Sequence, residues 1–141
     1  MNGYLLDTCV LSELAKVRPA IPVIEWFEAQ EEASLFLSVL TLGELQKGIE
    51  KCPEPDRRAR LQAWLSSKLL PRFQGKLLPV CERSALVWGR LSAQAELAGN
   101  PLPLIDLLLA STASVHRLTV ATRNIRDFER CSVAVFNPWQ S

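Results

Sequence analysis

The chain has 141 residues, 48% of them hydrophobic and 22% charged, with 16 Lys and Arg against 15 Asp and Glu for a net charge of +1. These figures fit one globular domain over residues 1–141, exclude a disordered or collagen-like chain, and give no strongly basic field that would announce a nucleic-acid binder. Asp7, Glu13, Glu25, Glu44 and Asp106 interrupt every apolar run before the roughly 18 to 20 residues a membrane span needs. The first six residues carry neither a basic leader nor an apolar segment of secretory length, so a cytoplasmic protein is expected.

Four cysteines, Cys9, Cys52, Cys81 and Cys131, show no C-x-x-C spacing and are expected to be free thiols. With one histidine, His116, a zinc site has almost no ligands to draw on, and any metal must be held by oxygen. The single histidine also excludes a ribonuclease built on a histidine pair. No G-x-S-x-G elbow, P-loop or G-x-G-x-x-G is present, so a serine hydrolase and a nucleotide cofactor are not indicated.

In chain order, short apolar runs with strand character over residues 3–6, 34–38, 77–80, 118–121 and 133–136 alternate with helical patterns. Residues 55–70 place Leu61, Trp64, Leu65 and Leu69 on one stripe and leave Arg57, Arg58, Arg60 and Lys68 for solvent. A turn with two prolines, Cys52-Pro53-Glu54-Pro55-Asp56, precedes it. Residues 82–98 repeat the logic with Trp88, Leu91, Ala95 and Ala98, and Gly99-Asn100-Pro101 ends that helix. The alternation predicts a three-layer α/β/α sandwich around a mainly parallel sheet, whose ligands gather at the carboxyl ends of the strands.

Acids fall at those ends. Asp7 follows Tyr4-Leu5-Leu6 directly; it reads as an N-cap or as a carboxylate facing the sheet edge. Glu44 follows the second strand, where Thr41 and Glu44 have the spacing of a capping box and Gly43 leaves room for a close approach. Asp106 lies in Pro103-Leu104-Ile105-Asp106-Leu107-Leu108-Leu109-Ala110, with Pro103 suited to a first helical position; apolar residues on the whole circumference predict a helix buried on most sides. A charge there costs several kcal/mol to bury unpaired, so it calls for a cation, donors or water, or for a cap role at the helix start. Asn124 and Asp127 follow the fourth strand as an N-cap and its N3 acid, or as the fourth polar corner of the same edge. Converging carboxylates repel unless a divalent ion neutralises them, and oxygen ligands point to Mg²⁺ or Mn²⁺. Arg117, Arg123, Arg126 and Arg130 supply basic side chains for phosphate beside that edge, or form a solvated helix face.

Four segments carry a family resemblance: Leu5-Leu6-Asp7-Thr8-Cys9-Val10-Leu11-Ser12-Glu13-Leu14; Leu37-Ser38-Val39-Leu40-Thr41-Leu42-Gly43-Glu44-Leu45; Pro103 to Ala110 as quoted; and Thr122-Arg123-Asn124-Ile125-Arg126-Asp127-Phe128, with Phe136-Asn137-Pro138-Trp139 at the end. In order and spacing the chain resembles the PIN-domain family, in particular the VapC- and FitB-like toxin nucleases of toxin-antitoxin pairs. The resemblance implies an α/β/α domain and a Mg²⁺- or Mn²⁺-dependent endoribonuclease. It also implies acidic site residues at Asp7, Glu44 and Asp106, a fourth corner filled by Asn124 or Asp127, and water- or carboxylate-orienting hydroxyls at Thr8 and Thr122. It further implies an RNA substrate contacted by Arg123, Arg126 and Arg130, an antitoxin lying across the acidic groove, and a homodimer or larger assembly. Two alternatives stand beside this reading. One is a catalytically silent RNA- or protein-binding module of the same fold, motivated by Asn124. The other is a phosphotransfer or dehalogenase-like enzyme built on Asp7, which lacks the second aspartate two residues on.

Overall fold

The computed structural model describes residues 3–140. Five strands, β1 (Tyr4–Leu6), β2 (Leu35–Ser38), β3 (Leu77–Leu78), β4 (Thr119–Ala121) and β5 (Val135–Phe136), form one sheet in the order β3-β2-β1-β4-β5, and every neighbouring pair is parallel. All five expected strands are present, each trimmed by one or two residues. Ser34 instead closes a 3₁₀ turn, Glu32–Ser34, and Pro79, which has no N–H to give a ladder, follows β3.

Strand alternation divides the core. Leu6, Leu35, Leu37 and Ala121 face one side, covered by α1 (Thr8–Leu14), α2 (Ile21–Ala29), α3 (Val39–Glu50), α4 (Pro55–Trp64) and the turn that continues it, through Val10, Leu11, Val23, Phe27, Leu45, Ile49 and, from that turn, Leu65 and Leu69. Leu5 and Val120 face the other, under α6 (Glu82–Leu97), α7 (Leu104–His116) and α8 (Ile125–Glu129), with Leu107, Leu109, Ala110, Ala113 and Phe128 beneath. The predicted three-layer sandwich is the observed one. All four cysteines are free thiols.

Several local expectations are corrected. The helix predicted over residues 55–70 is α-helical to Trp64, widens into a π turn at Leu65–Leu69 and ends in the single turn α5 (Leu70–Arg72). Pro71 lacks the N–H for a bond four residues back and its ring crowds that carbonyl; a wider turn just upstream relieves both, with Leu70 N–H reaching Leu65 O. Pro103 caps α7 from outside the helix, which starts at Leu104. The burial of α7 is uneven: Leu107 and the run from Leu109 to Ala113 are covered, but Leu104 at its start is 56% exposed and Ile105 and Asp106 are half-buried. The N-terminal turn of α7 therefore stands in the crevice rather than in the core. Ala98 is exposed, and Gly99, at φ +72°, ends α6 as predicted.

Two close contacts hold β1 in place. Gly3 runs so near β2 that a Cβ there would stand 2.6 Å from the Ser34 carbonyl oxygen. Glu13, buried at the end of α1, accepts from the Ala20 backbone N–H at 2.8 Å and from Lys16 Nζ at 2.9 Å, clamping the loop into α2. The Lys16 bond holds the Glu13 carboxyl below the usual range. Replacing Glu13 by Gln is expected to destabilise the fold by about 1–3 kcal/mol at neutral pH, because one clamp partner is left unsatisfied. Because its folded pKa is depressed, the loss should shrink as pH falls below the ordinary carboxylate value. Urea unfolding of the two proteins at neutral and acid pH checks this; equal midpoints at neutral pH would refute the clamp.

Candidate active site

The sheet order reverses direction between β1 and β4: the chain leaves β1 towards β2 and β3 on one side, then returns to β4 and β5 on the other. The connections diverge there, opening a crevice at the carboxyl ends of the two strands. Asp7 ends β1 and Thr122 ends β4, so both sit in that crevice by topology alone. Their side chains join across it, with Thr122 Oγ1 donating to Asp7 Oδ2 at 2.7 Å.

Both readings of Asp7 are realised in one carboxylate. Oδ1 accepts from the Thr8 N–H at 2.8 Å and caps α1, while Oδ2 is turned to Thr122. Thr122 is fully buried and acts twice: its Oγ1 also accepts from the Asn124 N–H at 2.9 Å, which sets the loop into α8. Thr8 Oγ1 donates to Glu44 Oε1 at 2.5 Å and ties the start of α1 to the middle of α3. The two threonines thus hold the carboxylates of Asp7 and Glu44 in fixed orientations.

The capping box at Thr41 and Glu44 is not formed. Ser38 is the N-cap of α3 and accepts from the Leu40 N–H at 3.0 Å, which places Thr41 inside the helix, fully buried. Glu44 falls one turn further on, and its side chain is free to reach the crevice. Asp106 enters from the exposed first turn of α7.

Asn124 resolves the fourth corner in an unexpected way. It stands at the N-cap of α8 yet makes no capping bond; its Nδ2 donates instead to Asp127 Oδ2 at 3.2 Å and towards Asp106 Oδ2 at 3.4 Å. One neutral amide therefore bridges two carboxylates from different helices. Asp127 supplies the charge and Asn124 the donor, so the two are complementary parts of one corner.

Burial, and then the negative charges of Asp7, Asp127 and Glu44, push the Asp106 carboxyl up to about 6. All four acids therefore lie within electrostatic range of one another. Among the described residues, no three acidic, cysteine or histidine side chains already enclose one point as a finished coordination shell. The donor set is nonetheless all oxygen and short of positive charge. That suits a hard cation that keeps several waters and takes only one or two carboxylates directly.

Of the arginines, Arg117 is misplaced by the sequence reading. It ends α7 in the left-handed region at φ 56° and precedes β4, so it lies at the amino edge of the sheet, opposite the acids. Arg123 lies 4.1 Å over the Trp139 ring. Arg130 donates to the Asn100 carbonyl oxygen, and Arg126 is exposed with no ion pair among the described residues. Cys9 is the neighbour that sequence reasoning missed. Its Sγ accepts from the Arg123 N–H at 3.4 Å and lies 3.7 Å from both Asp7 Oδ2 and Thr122 Oγ1; burial and Asp7 raise its pKa. Its place two residues after Asp7, on the first turn of α1, was the available signal.

Fold and crevice define the class: a parallel α/β/α protein that gathers carboxylates at its topological switch point. A PIN domain profile matches residues 4–133, and the chain belongs to the PIN-domain family. It is similar over nearly its whole length to the VapC ribonuclease Y4jK of Sinorhizobium fredii, at 36% identity over 96% of this chain and 97% of the relative. Toxin FitB of Neisseria gonorrhoeae is 35% identical over the same shares. Among solved structures, the N. gonorrhoeae FitAcB complex superposes with a TM-score of 0.92 at 34% identity, covering 98% of this chain and 99% of that one. A DNA-bound VapBC from Salmonella typhimurium gives 0.79 at 26%, covering 98% and 99%.

The raised Asp106 pKa makes a stability prediction. A carboxyl titrating at about 6 when folded and near its ordinary value when unfolded binds its proton more tightly in the native state. Its ionisation therefore costs stability as pH rises through that window, fully above it and not at all below the unfolded value. In chelator, Asp106→Asn is expected to raise stability at about pH 7.5 by about 1–2 kcal/mol, allowing for solvent screening of a half-buried group, and by almost nothing at about pH 4. Thermal unfolding at the two pH values measures it; a destabilised variant at pH 7.5 would overturn the repulsion.

Proposed function

We propose that this protein is a Mg²⁺- or Mn²⁺-dependent endoribonuclease and the toxin partner of a toxin-antitoxin pair. The single observation that carries the chemistry is the meeting of four carboxylates at the sheet's switch point, where burial first and then the charges of Asp7, Asp127 and Glu44 push the Asp106 carboxyl up to about 6. The family membership and the ribonuclease and toxin names of full-length relatives support the substrate class.

Asp7, Glu44 and Asp106 would surround the cation, one or two of them directly and the rest through water, with Asp127 completing the negative field and Asn124 keeping Asp106 and Asp127 oriented. When bound, the ion supplies Lewis-acid polarisation of the scissile phosphate and acidifies water to a usable nucleophile. The chain's own residues then fix geometry. Thr122 and the Thr8 N–H immobilise both oxygens of Asp7, and Thr8 Oγ1 holds one oxygen of Glu44, leaving its other oxygen for ligand or water. Arg126 on α8 and Arg130 just after it would pair with flanking phosphates, Arg130 by giving up its bond to the Asn100 carbonyl, and Arg123 would do so from its stack on Trp139.

Neighbouring solved structures are complexes of FitA with FitB and of VapB with VapC, some with DNA. An antitoxin that covers the acidic crevice and a homodimer of this chain follow as parts of the proposal. So does a cytoplasmic location; no helix among the described residues is long and apolar enough to cross a membrane.

Purified protein incubated with a pool of single-stranded and structured RNA should cut it in Mn²⁺ or Mg²⁺ and not in chelator. Asp7→Asn and Asp106→Asn should each lower the rate by at least about a hundredfold while remaining folded. Full activity of Asp106→Asn at matched metal would refute the assignment. Millimolar Mn²⁺ should also raise the wild-type melting temperature, by the equivalent of about 2–3 kcal/mol if it reaches a hundredfold excess over Kd, and Asp106→Asn should lose most of that gain. RNA bound but uncut in every metal would favour the silent module.

A further inference from the structure

Beside the acids lies a cavity of about 580 Å³, and apart from Thr8 and Glu44 the proposed chemistry uses none of its lining. Thr8 and Glu44, the pair whose hydrogen bond joins α1 to α3, are among its lining residues, so it adjoins the carboxylate cluster. Its walls are apolar: Val39 and Leu40 from the first turn of α3 and Ile105 from the first turn of α7. Val39 is 41% exposed although it stands at a helix start beside buried neighbours. The volume falls within the about 300–1,000 Å³ range of pockets that take small-molecule ligands.

Two of the lining residues are glycines in the interior of a helix. Gly43 and Gly48 both belong to α3, both line the cavity, and a Cβ built on either meets nothing within 4 Å. Neither has a positive φ. The chain itself therefore gives no steric or conformational reason for glycine, the poorest helix former short of proline. Something outside the chain that comes close to the α3 backbone does give one.

The rim carries charge of the opposite sign to the acids. Lys47 and Lys51 follow Glu44 at i+3 and i+7, so the helix lines up Glu44, Lys47, Gly48 and Lys51 along one face leading away from the carboxylates. Both lysines are exposed and neither makes an ion pair among the described residues. Two like charges one turn apart repel, a cost that an anion beside them removes.

Resting on the nuclease reading above, we infer that the α3–α7 cavity is a nucleotide subsite. It takes one unpaired RNA base against Val39, Leu40 and Ile105 over the bare backbone of Gly43 and Gly48, with the adjoining phosphates on Lys47 and Lys51. A base still in a duplex presents only its edge and cannot enter, so the subsite selects single-stranded RNA next to the bond that is cut.

The test uses the full chain bearing Asp106→Asn, which binds without cutting, and a fluorescein-labelled single-stranded RNA oligomer of mixed sequence in Mg²⁺. Adding Gly48→Leu should raise the melting temperature by about 2–5 °C, since a good helix former replaces glycine where nothing blocks it. The same change should weaken RNA binding by about tenfold or more. Lys47→Ala with Lys51→Ala should weaken binding and lower the slope of log affinity against log salt by about 0.7 per lysine. In the active protein, Gly48→Leu should raise KM more than it lowers kcat. Undiminished affinity in the more stable Gly48→Leu variant would overturn the subsite while leaving the nuclease intact. Equal affinity for a duplex of the same sequence would do the same. Sedimentation of each variant separates the rival occupant: if Gly48→Leu dissociates a dimer and leaves RNA affinity per chain unchanged, a second copy fills the cavity and the subsite is wrong. If the Asp106→Asn parent binds no RNA, the nuclease reading fails first and the subsite with it.

Discussion

Negative charges that repel one another are held together here by a scaffold that cannot let them part. Asp7, Asp106 and Asp127 come from helix starts or first turns and Glu44 from the second turn of α3, and each is restrained by a partner anchored in the fold: Thr122 and the Thr8 N–H for Asp7, Thr8 Oγ1 for Glu44, Asn124 for Asp106 and Asp127. The anchors are donors without charge. They satisfy carboxylate oxygens and fix their directions, yet leave the electrostatic deficit in place, as the upward shift of Asp106 records. A scaffold of arginines would have neutralised the cluster and lowered that pKa instead.

That arrangement depends on the sheet. Because β1 lies centrally and its two neighbours lead to chain segments on opposite sides, the ends of β1 and β4 open into a crevice into which α1, α3, α7 and α8 all point their beginnings or first turns. The helix starts bring unpaired backbone N–H groups to the same place, which tempers the repulsion among the acids without cancelling it. Close packing fixes β1 and the loop that follows α1: Gly3 admits no side chain against Ser34, and Glu13 accepts from the Ala20 N–H. With β1 and the start of α1 held there, Asp7 is held at the carboxyl edge of the sheet.

α3 shows how one helix serves both purposes. Its buried stripe of Thr41, Leu45 and Ile49 belongs to the core, while the face bearing Glu44, Lys47, Gly48 and Lys51 belongs to the crevice and the cavity beside it. The same 3.6-residue period separates the two jobs, so the crevice face can change without disturbing the core.

Much of this was legible in the sequence because it rests on local rules. Strand runs, the Gly99 stop, the proline turn at 53–55 and the position of Asp7 after a buried strand follow from period, propensity and cap chemistry, and the structure keeps them all. What sequence could not settle are matters of distance between segments far apart in the chain. Thr41 and Glu44 have a capping-box spacing, but Ser38 starts α3 because the strand before it ends in pairing with β3. Arg117 shares its neighbourhood in sequence with Arg123 yet lies at the opposite edge, because β4 carries the chain across the whole sheet between them. Asn124 looked like a competitor of Asp127 and became its partner only when α7 brought Asp106 within reach. The sequence by itself determined which groups could ionise, donate or cap; tertiary structure decided which of them meet, because a carboxylate's pKa and partners depend on what lies a few ångströms away in space.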